Sequence, residues 1–206
     1  MKVLITGIEG FAGSHLAELL LEEGWEVFGI KHPESTTENI LFLADRVRIS
    51  QIDINQHEQV NSEMEKIQPE AVIHLAAFSR VGLSWKSRTY TYRTNILATA
   101  NLLEAAAELQ SRPRLLMISS AEVYGPLPED RMPIKEDYAM NPVNPYAVSK
   151  ASVELMMNQF MNENSKLNWK IVRPFNHTGP RQTGGFVCSD FAQRVAQIEA
   201  ASPNRR

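Results

Sequence analysis

Short apolar, β-branched runs alternate along the chain with longer stretches whose apolar residues recur every three or four positions. The short runs are 2–7 (KVLITG), 26–30 (EVFGI), 47–54 (VRISQIDI), 71–77 (AVIHLAA), 114–120 (RLLMISS) and 170–175 (KIVRPF). Several are apolar almost throughout instead of alternating, as in strands buried on both faces of a parallel sheet. Helical periodicity covers 11–24, where FAGSHLAELLLEEG stops at Gly24, and then roughly 56–67, 84–109, 145–164 and 185–200. Strands alternating with helices in this way predict an α/β fold built on a doubly wound parallel sheet. Ligands in such folds lie beyond the carboxyl ends of the strands. Gly7, Asp53, Ala77, Ser120 and Asn176 stand at or just past those ends. The proline- and charge-rich stretch 125–144 reads as an ordered surface loop, and the terminal SPNRR is expected to fray.

Between the first strand and the first helix lies TGIEGFAG (6–13), with Gly7, Gly10 and Gly13 spaced by two residues and Phe11 and Ala12 between the last two. Glycine permits a tight turn and close approach of bare backbone to a pyrophosphate, and the following helix offers free N–H groups and the positive end of its dipole. The commoner dinucleotide pattern separates its first two glycines by a single residue, so it is the strand–turn–helix setting that gives this spacing its meaning. At the end of the second strand, where NAD sites place an acid, the chain has Lys31 and His32. A cation there can pair with a 2′-phosphate, which favours NADP(H) and leaves NAD(H) possible. Asp53, followed by Ile54, ends the third run and can accept from an adenine amino group or cap the next helix.

NPYAVSK (144–150) places Asn144 as a helix cap, Pro145 at the first helical position, and Tyr146 and Lys150 one turn apart on one face. A free phenol titrates near 10. An adjacent ammonium and the helix dipole are expected to lower that value, making Tyr146 a tunable acid–base. Ser120, at the end of the fifth run, can hydrogen-bond the same reacting oxygen. Glu122 lies two residues on and can serve as a base.

Composition narrows the classes. The chain carries 24 acidic and 21 basic residues, net −3, with the basic ones scattered apart from Arg205–Arg206. That argues against nucleic-acid or membrane-surface binding driven by bulk charge. A single cysteine, Cys188, excludes an intrachain disulfide and a cysteine metal cluster. The five histidines show no ligand spacing, so no metal is expected, and His74 in an apolar run reads as a hydrogen-bonded core residue. No apolar run is long enough to span a membrane, and MKVLITG reads as a strand instead of a signal sequence, so a cytoplasmic setting is expected.

Taken together, TGIEGFAG, HLAA (74–77), SSAEVYG (119–125) and YAVSK (146–150), in this order, resemble the extended short-chain dehydrogenase/reductase family, in particular its NAD(P)-dependent nucleotide-sugar epimerases, dehydratases and reductases. The resemblance implies that Tyr146 is the acid–base, that Lys150 holds the nicotinamide ribose, and that Ser120 binds the reacting oxygen. It makes Gly7, Gly10 and Gly13 the pyrophosphate loop and runs Leu75, Ala76 and Ala77 along the cofactor. Asn95 supports the site, Pro174 lies near the nicotinamide, and Asn176 and Arg181 face the substrate. The stretch 173–200 is most similar to the GDP-4-keto-6-deoxymannose reductase branch, whose product is GDP-rhamnose, with GDP-mannose 4,6-dehydratases nearby. Dehydratases typically carry Thr, then Asp or Ser, then Glu, where this chain has Ser120, Ala121 and Glu122. The reading implied is reduction of a 4-keto nucleotide sugar, with GDP-hexose as the favoured substrate class. A dehydratase or 4-epimerase, and a non-catalytic dinucleotide-binding module or inactive fragment, are the alternatives. Residues 1–175 would form the nucleotide-binding domain and 176–206 only the beginning of a substrate region, since the family continues further. Family members pair through helices corresponding to 84–109 and 145–164, which implies a homodimer.

Overall fold

A computed structural model describes residues 1–163 and 167–201; the terminal SPNRR lies outside them. Six strands form one parallel sheet: β1 (Lys2–Thr6), β2 (Glu26–Lys31), β3 (Arg48–Gln51), β4 (Ala71–His74), β5 (Arg114–Ile118) and β6 (Trp169–Val172). Their order is β3-β2-β1-β4-β5-β6. The helices are α1 (Phe11–Glu22), α2 (His57–Ile67), the short α3 (Val81–Ser84) and α4 (Arg88–Tyr92), then α5 (Ala98–Glu108), α6 (Pro145–Glu163) and α7 (Val187–Ala201).

The near-continuous apolar strands have their expected cause. Leu4, Phe28, Ile30, Val72, Leu115 and Met117 pack on one face against Val60 and Met64 of α2, Leu102 and Leu103 of α5, and Val153 and Met157 of α6. Val3, Ile5, Val27, Ala71 and Ile73 point the other way, against Ala17 and Leu20 of α1 with Ile40 and Leu43. Successive strand residues thus serve two cores. The order of the sheet reverses between β1 and β4, which opens the crevice where doubly wound folds take their ligands.

Two expectations are revised. The helical periodicity of 84–109 is not one helix: α4 runs into a π-helical turn, Arg93–Leu97, before α5. The wider turn carries Asn95 inward, where its Oδ1 accepts from Phe78 N at 2.7 Å and its Nδ2 donates to Phe78 O at 3.2 Å, so side-chain bonds fasten the break to the segment after β4. The strands also stop short of their apolar runs. Beyond Ile118 the chain leaves the sheet for a 3-10 turn, Ala121–Tyr124, and beyond His74 it bends over the glycine loop. Among the described residues no helix is long and apolar enough to cross a membrane.

Candidate active site

At the carboxyl end of β1, Gly7 adopts φ +70°, and a Cβ there would meet Ala76 Cα and N at 2.8 Å. Gly13 packs so close to the turn that a Cβ would lie 2.3 Å from Gly7 O. Neither position tolerates a side chain, and the two together bring α1 end-on to the crevice. Its N-cap, Gly10, brings no side-chain acceptor, and the first turn holds no acid. The leading N–H groups of α1 are therefore left for an anion, as a pyrophosphate requires. Leu75 and Ala76 flank this loop: Leu75 N donates to Thr6 O at 3.1 Å and Ala76 N to Thr6 Oγ1 at 3.3 Å. The predicted loop and the predicted cofactor-side residues Leu75 and Ala76 are thus brought together, with Ala77 next in the chain, and the groups present fit a dinucleotide phosphate.

Around the end of β5 stands the second group. Asn144 Oδ1 accepts from Ala147 N at 2.8 Å, capping α6 as the sequence predicts, while its Nδ2 donates to Glu122 Oε2 at 2.8 Å. Ser120 Oγ accepts from Glu122 N at 3.2 Å. Tyr146, in the first turn of α6, faces both Ser120 and Glu122. Lys150, one turn on, is buried, and its ammonium donates to Ile118 O at 2.7 Å and lies 5.9 Å from the Tyr146 ring centroid. Pro174 O accepts from Ala121 N at 3.0 Å, which ties the end of β6 to the same corner.

The electrostatics differ from the sequence expectation. Burial pushes the Tyr146 phenol above its ordinary value; the Ser120 hydroxyl opposes that and the Glu122 carboxylate adds to it. Burial alone brings Lys150 down to about 8. Lys150 was expected to lower the phenol, but its ammonium is turned to the Ile118 carbonyl, and desolvation of Tyr146 outweighs it.

Lys31 is also corrected. It is 3% exposed, and its ammonium donates to His32 O at 2.8 Å, Ser35 O at 2.9 Å and Pro33 O at 3.5 Å. The cation offered by sequence to a 2′-phosphate holds a turn of its own chain. Asp53 makes an Asx turn, its Oδ1 accepting from Asn55 N at 2.9 Å and Asn55 Nδ2 at 2.8 Å, and the first residue of α2 follows Gln56 instead. Burial alone would raise the Asp53 carboxyl, but those two bonds, with His32 and Arg93 nearby, bring it below its usual value. Ile54 buries its side chain in the core, and its carbonyl accepts from Asn101 Nδ2 at 3.0 Å.

Residues 175–185 fold back over α1. Phe11 stacks on His177 (5.7 Å, 24°) and meets His15 edge-on. Arg181 is ion-paired to Glu18 at 2.6 Å and lies 4.4 Å over the Phe42 ring, away from Tyr146's helix, while Asn176 is exposed. Of the two predicted substrate residues, Arg181 is thus joined to α1 instead of to the Ser120–Tyr146 corner.

Two features escaped sequence reading. One is a buried relay: Thr6 Oγ1 to His74 Nδ1 (2.6 Å), His74 Nε2 to Thr99 Oγ1 (2.9 Å), Thr99 Oγ1 to Asn95 O (2.6 Å), Asn95 Nδ2 to Ser149 Oγ (2.8 Å) and Ser149 Oγ to Tyr146 O (2.6 Å). Since Thr99 donates onward to Asn95 O, His74 Nε2 carries the proton and Nδ1 accepts. Burial holds this imidazole neutral, its pKa brought down to about 3, with Lys150 pressing the same way. The relay connects the phosphate-loop strand to the backbone of Tyr146. The other is the Glu154–Arg173 pair; the signal for it was an acid eight residues past Tyr146, on the same buried helix face.

The family described as GDP-mannose 4,6 dehydratase matches residues 4–205. The GDP-6-deoxy-D-mannose reductase of Pseudomonas aeruginosa is 30% identical over 203 residues, covering 96% of this chain and 59% of its own length. A GDP-mannose 4,6-dehydratase of Vibrio cholerae is 32% identical, covering 95% and 54%. Among solved structures, the UDP-glucose 4-epimerase of Thermus thermophilus in complex with NAD superposes with a TM-score of 0.88 at 31% identity, over 96% of this chain and 63% of that one. The chain therefore spans between about half and two thirds of the length of these relatives.

Proposed function

This chain belongs to the GDP-mannose 4,6 dehydratase family, within the extended short-chain dehydrogenases/reductases, and from that premise we propose that it binds a nicotinamide dinucleotide and reduces a 4-keto-6-deoxy nucleotide sugar, GDP-4-keto-6-deoxymannose to GDP-rhamnose. The observation that carries the proposal is the convergence of Ser120, Glu122, Tyr146 and Lys150 at the end of β5, on the same edge of the parallel sheet as the glycine loop of β1 and two strands from it. Bound at that loop, the dinucleotide would supply the hydride that reduces C4. Tyr146 gives its phenol proton to the C4 oxygen, and Ser120 hydrogen-bonds that oxygen as its charge develops. Lys150, moved from Ile118 O to a ribose hydroxyl, stabilises the phenolate left behind. Glu122 keeps a dehydratase as the second reading, since a carboxylate held 2.8 Å from Asn144 Nδ2 beside Tyr146 is placed to remove a carbon-bound proton.

The test adds GDP-4-keto-6-deoxymannose to protein titrated with NADH and with NADPH, following nicotinamide fluorescence. Binding followed by stoichiometric loss of reduced nicotinamide is the expected result. GDP-mannose converted with no added reductant would overturn the reductase in favour of the dehydratase. Binding with no turnover of either sugar would leave a dinucleotide-binding module.

We further place residues 176–201 on the substrate side, because α7 buries none of its side chains on the nucleotide-binding unit and exposes Val187, Phe191, Val195 and Ile198 along one stripe. Homodimerisation through α4, α5 and α6 is supported by exposed Tyr90, Leu97 and Leu155 on or beside those helices. Sedimentation should give a dimer that Leu97→Glu with Leu155→Glu converts to monomer; an unchanged mass for the double variant rejects that surface. A free, exposed Cys188 suits a reducing compartment, and the cytoplasm is the proposed setting.

A further inference from the structure

Glu9 stands between Gly7 and Gly10, on the loop rather than on β2, yet its carboxylate reaches across the carboxyl end of β2. Its Oε1 accepts from His32 N at 3.0 Å and from Ser35 Oγ at 2.8 Å. The strands beneath are in register, Thr6 beside Ile30, with Gly7 N donating to Ile30 O at 2.8 Å. In doubly wound folds this is where an acidic side chain reads the ribose 2′-hydroxyl of a dinucleotide. Lys31, which occupies the strand-end position itself, points away. By gathering the carbonyls of His32, Pro33 and Ser35, it shapes the turn that presents His32 N–H and the Ser35 hydroxyl to Glu9.

From this arrangement we infer that Glu9 is a specificity-determining residue, admitting a dinucleotide with a free ribose 2′-hydroxyl, NAD(H), and disfavouring one with a 2′-phosphate, NADP(H). The inference rests on the reading that a dinucleotide binds at the glycine loop.

Three observations support it. Glu9 Oε2 is shielded from water and has no hydrogen-bond partner. A buried acceptor of this kind lacks a donor, and a ribose hydroxyl has one to give once the part-exposed side chain shifts slightly; a largely ionised phosphate does not. The cation at the end of β2 is also committed elsewhere. Lys31 holds three carbonyls, while Arg181 pairs through Nη2 with Glu18 at 2.6 Å and leaves Nη1 without a hydrogen-bond partner. The His32 ring is held by Glu34 N, which donates to its Nδ1 at 3.2 Å. Lys31, the cation at the strand end, therefore offers no free positive charge to a 2′-phosphate. Finally, the loop backbone beside Glu9 is fixed, because Asn39 Nδ2 donates both to Glu9 O at 3.2 Å and to Arg181 O at 3.0 Å. The carboxylate cannot easily be carried away from an incoming phosphate by movement of the loop.

The experiment is fluorescence titration of the chain with NADH and with NADPH, for wild type and Glu9→Gln. Wild type should bind NADH at least about tenfold tighter, the scale expected when like charges are juxtaposed in a partly desolvated site. Glu9→Gln keeps the shape, removes the charge and adds a donor, so it should reduce that ratio by about tenfold, chiefly by tightening NADPH. Equal or tighter binding of NADPH by wild type overturns the inference without any variant, as does a ratio that Glu9→Gln leaves unchanged. Failure of wild type to bind either dinucleotide is a different result, because it removes the dinucleotide reading and this inference with it.

Discussion

Glu154→Ala is expected to lower the stability of the fold by about 3–5 kcal/mol, the usual cost of leaving one member of a buried ion pair without the other. The Glu154 side chain is 4% exposed and that of Arg173 20%. Arg173 donates from Nη2 at 2.6 Å and from Nε at 2.9 and 3.1 Å to the two carboxylate oxygens, a forked contact that a lysine could not reproduce. The Ser119 hydroxyl donates to the same carboxylate. Beyond it, Arg173 Nη1 donates to Tyr124 OH at 2.6 Å and to Glu136 O at 2.8 Å. Hydrogen bonding to Glu154 pushes the guanidinium further above its ordinary range, so Arg173 stays charged at any working pH. One carboxylate thereby joins α6, β5, β6, the 3-10 turn after Ser120 and the loop 125–144. Replacing both partners with methionine should cost clearly less than Glu154→Ala, since no charge is then left unpaired. Urea denaturation of the three proteins reads this directly. A midpoint shift worth less than about 1 kcal/mol for Glu154→Ala, at unchanged slope, would show that the network does not hold the corner together.

That network marks the limit of what the sequence disclosed. Buried apolar strands, a glycine-punctuated turn and an Asn–Pro helix start are local signals, and the sheet, the loop and the cap all follow from them. Ser120, Tyr146 and Lys150 were legible for the same reason: each sits at a strand end or helix start defined by its own neighbours. What the sequence could not supply was the direction in which a long side chain turns. Lys31 read as an exposed cation because nothing in IKHPES reveals that the chain curls its carbonyls around the ammonium. Lys150 read as a partner lowering the Tyr146 phenol, but in the folded chain Ile118 O takes the ammonium and burial controls the phenol. Glu9 attracted no attention, since its position has meaning only once β2 lies beside β1. Pairings between residues far apart in the chain, such as Glu9 with Ser35 or Asn39 with Arg181, are products of topology and leave no local periodicity to read.

Tyr146→Phe is expected to reduce turnover of the keto sugar by about 10²–10⁴-fold, the range associated with a positioned general acid. Dinucleotide affinity should stay within about threefold of wild type, because the hydroxyl lies at the β5 corner and not in the glycine loop. The pH dependence separates the two members of the pair. In the reductive direction Tyr146 must begin as the phenol, and burial, by raising its pKa, keeps it so through neutral pH. Lys150 must carry its proton, and burial has lowered it to about 8. Its charged form is therefore lost as pH rises through about 8, well before a free lysine would lose it, and reductive kcat/KM should be level below that value and fall above it. Lys150→Arg, which does not deprotonate in this range, should move the fall to higher pH even if it lowers the plateau. An independent reading comes from alkaline difference spectra at the phenolate band: wild type minus Tyr146→Phe should isolate one phenol ionising above the ordinary tyrosine range. Turnover in Tyr146→Phe within about tenfold of wild type would remove the phenol from the chemistry. A difference spectrum titrating below about 10 in the free protein would mean that Lys150, not burial, governs Tyr146.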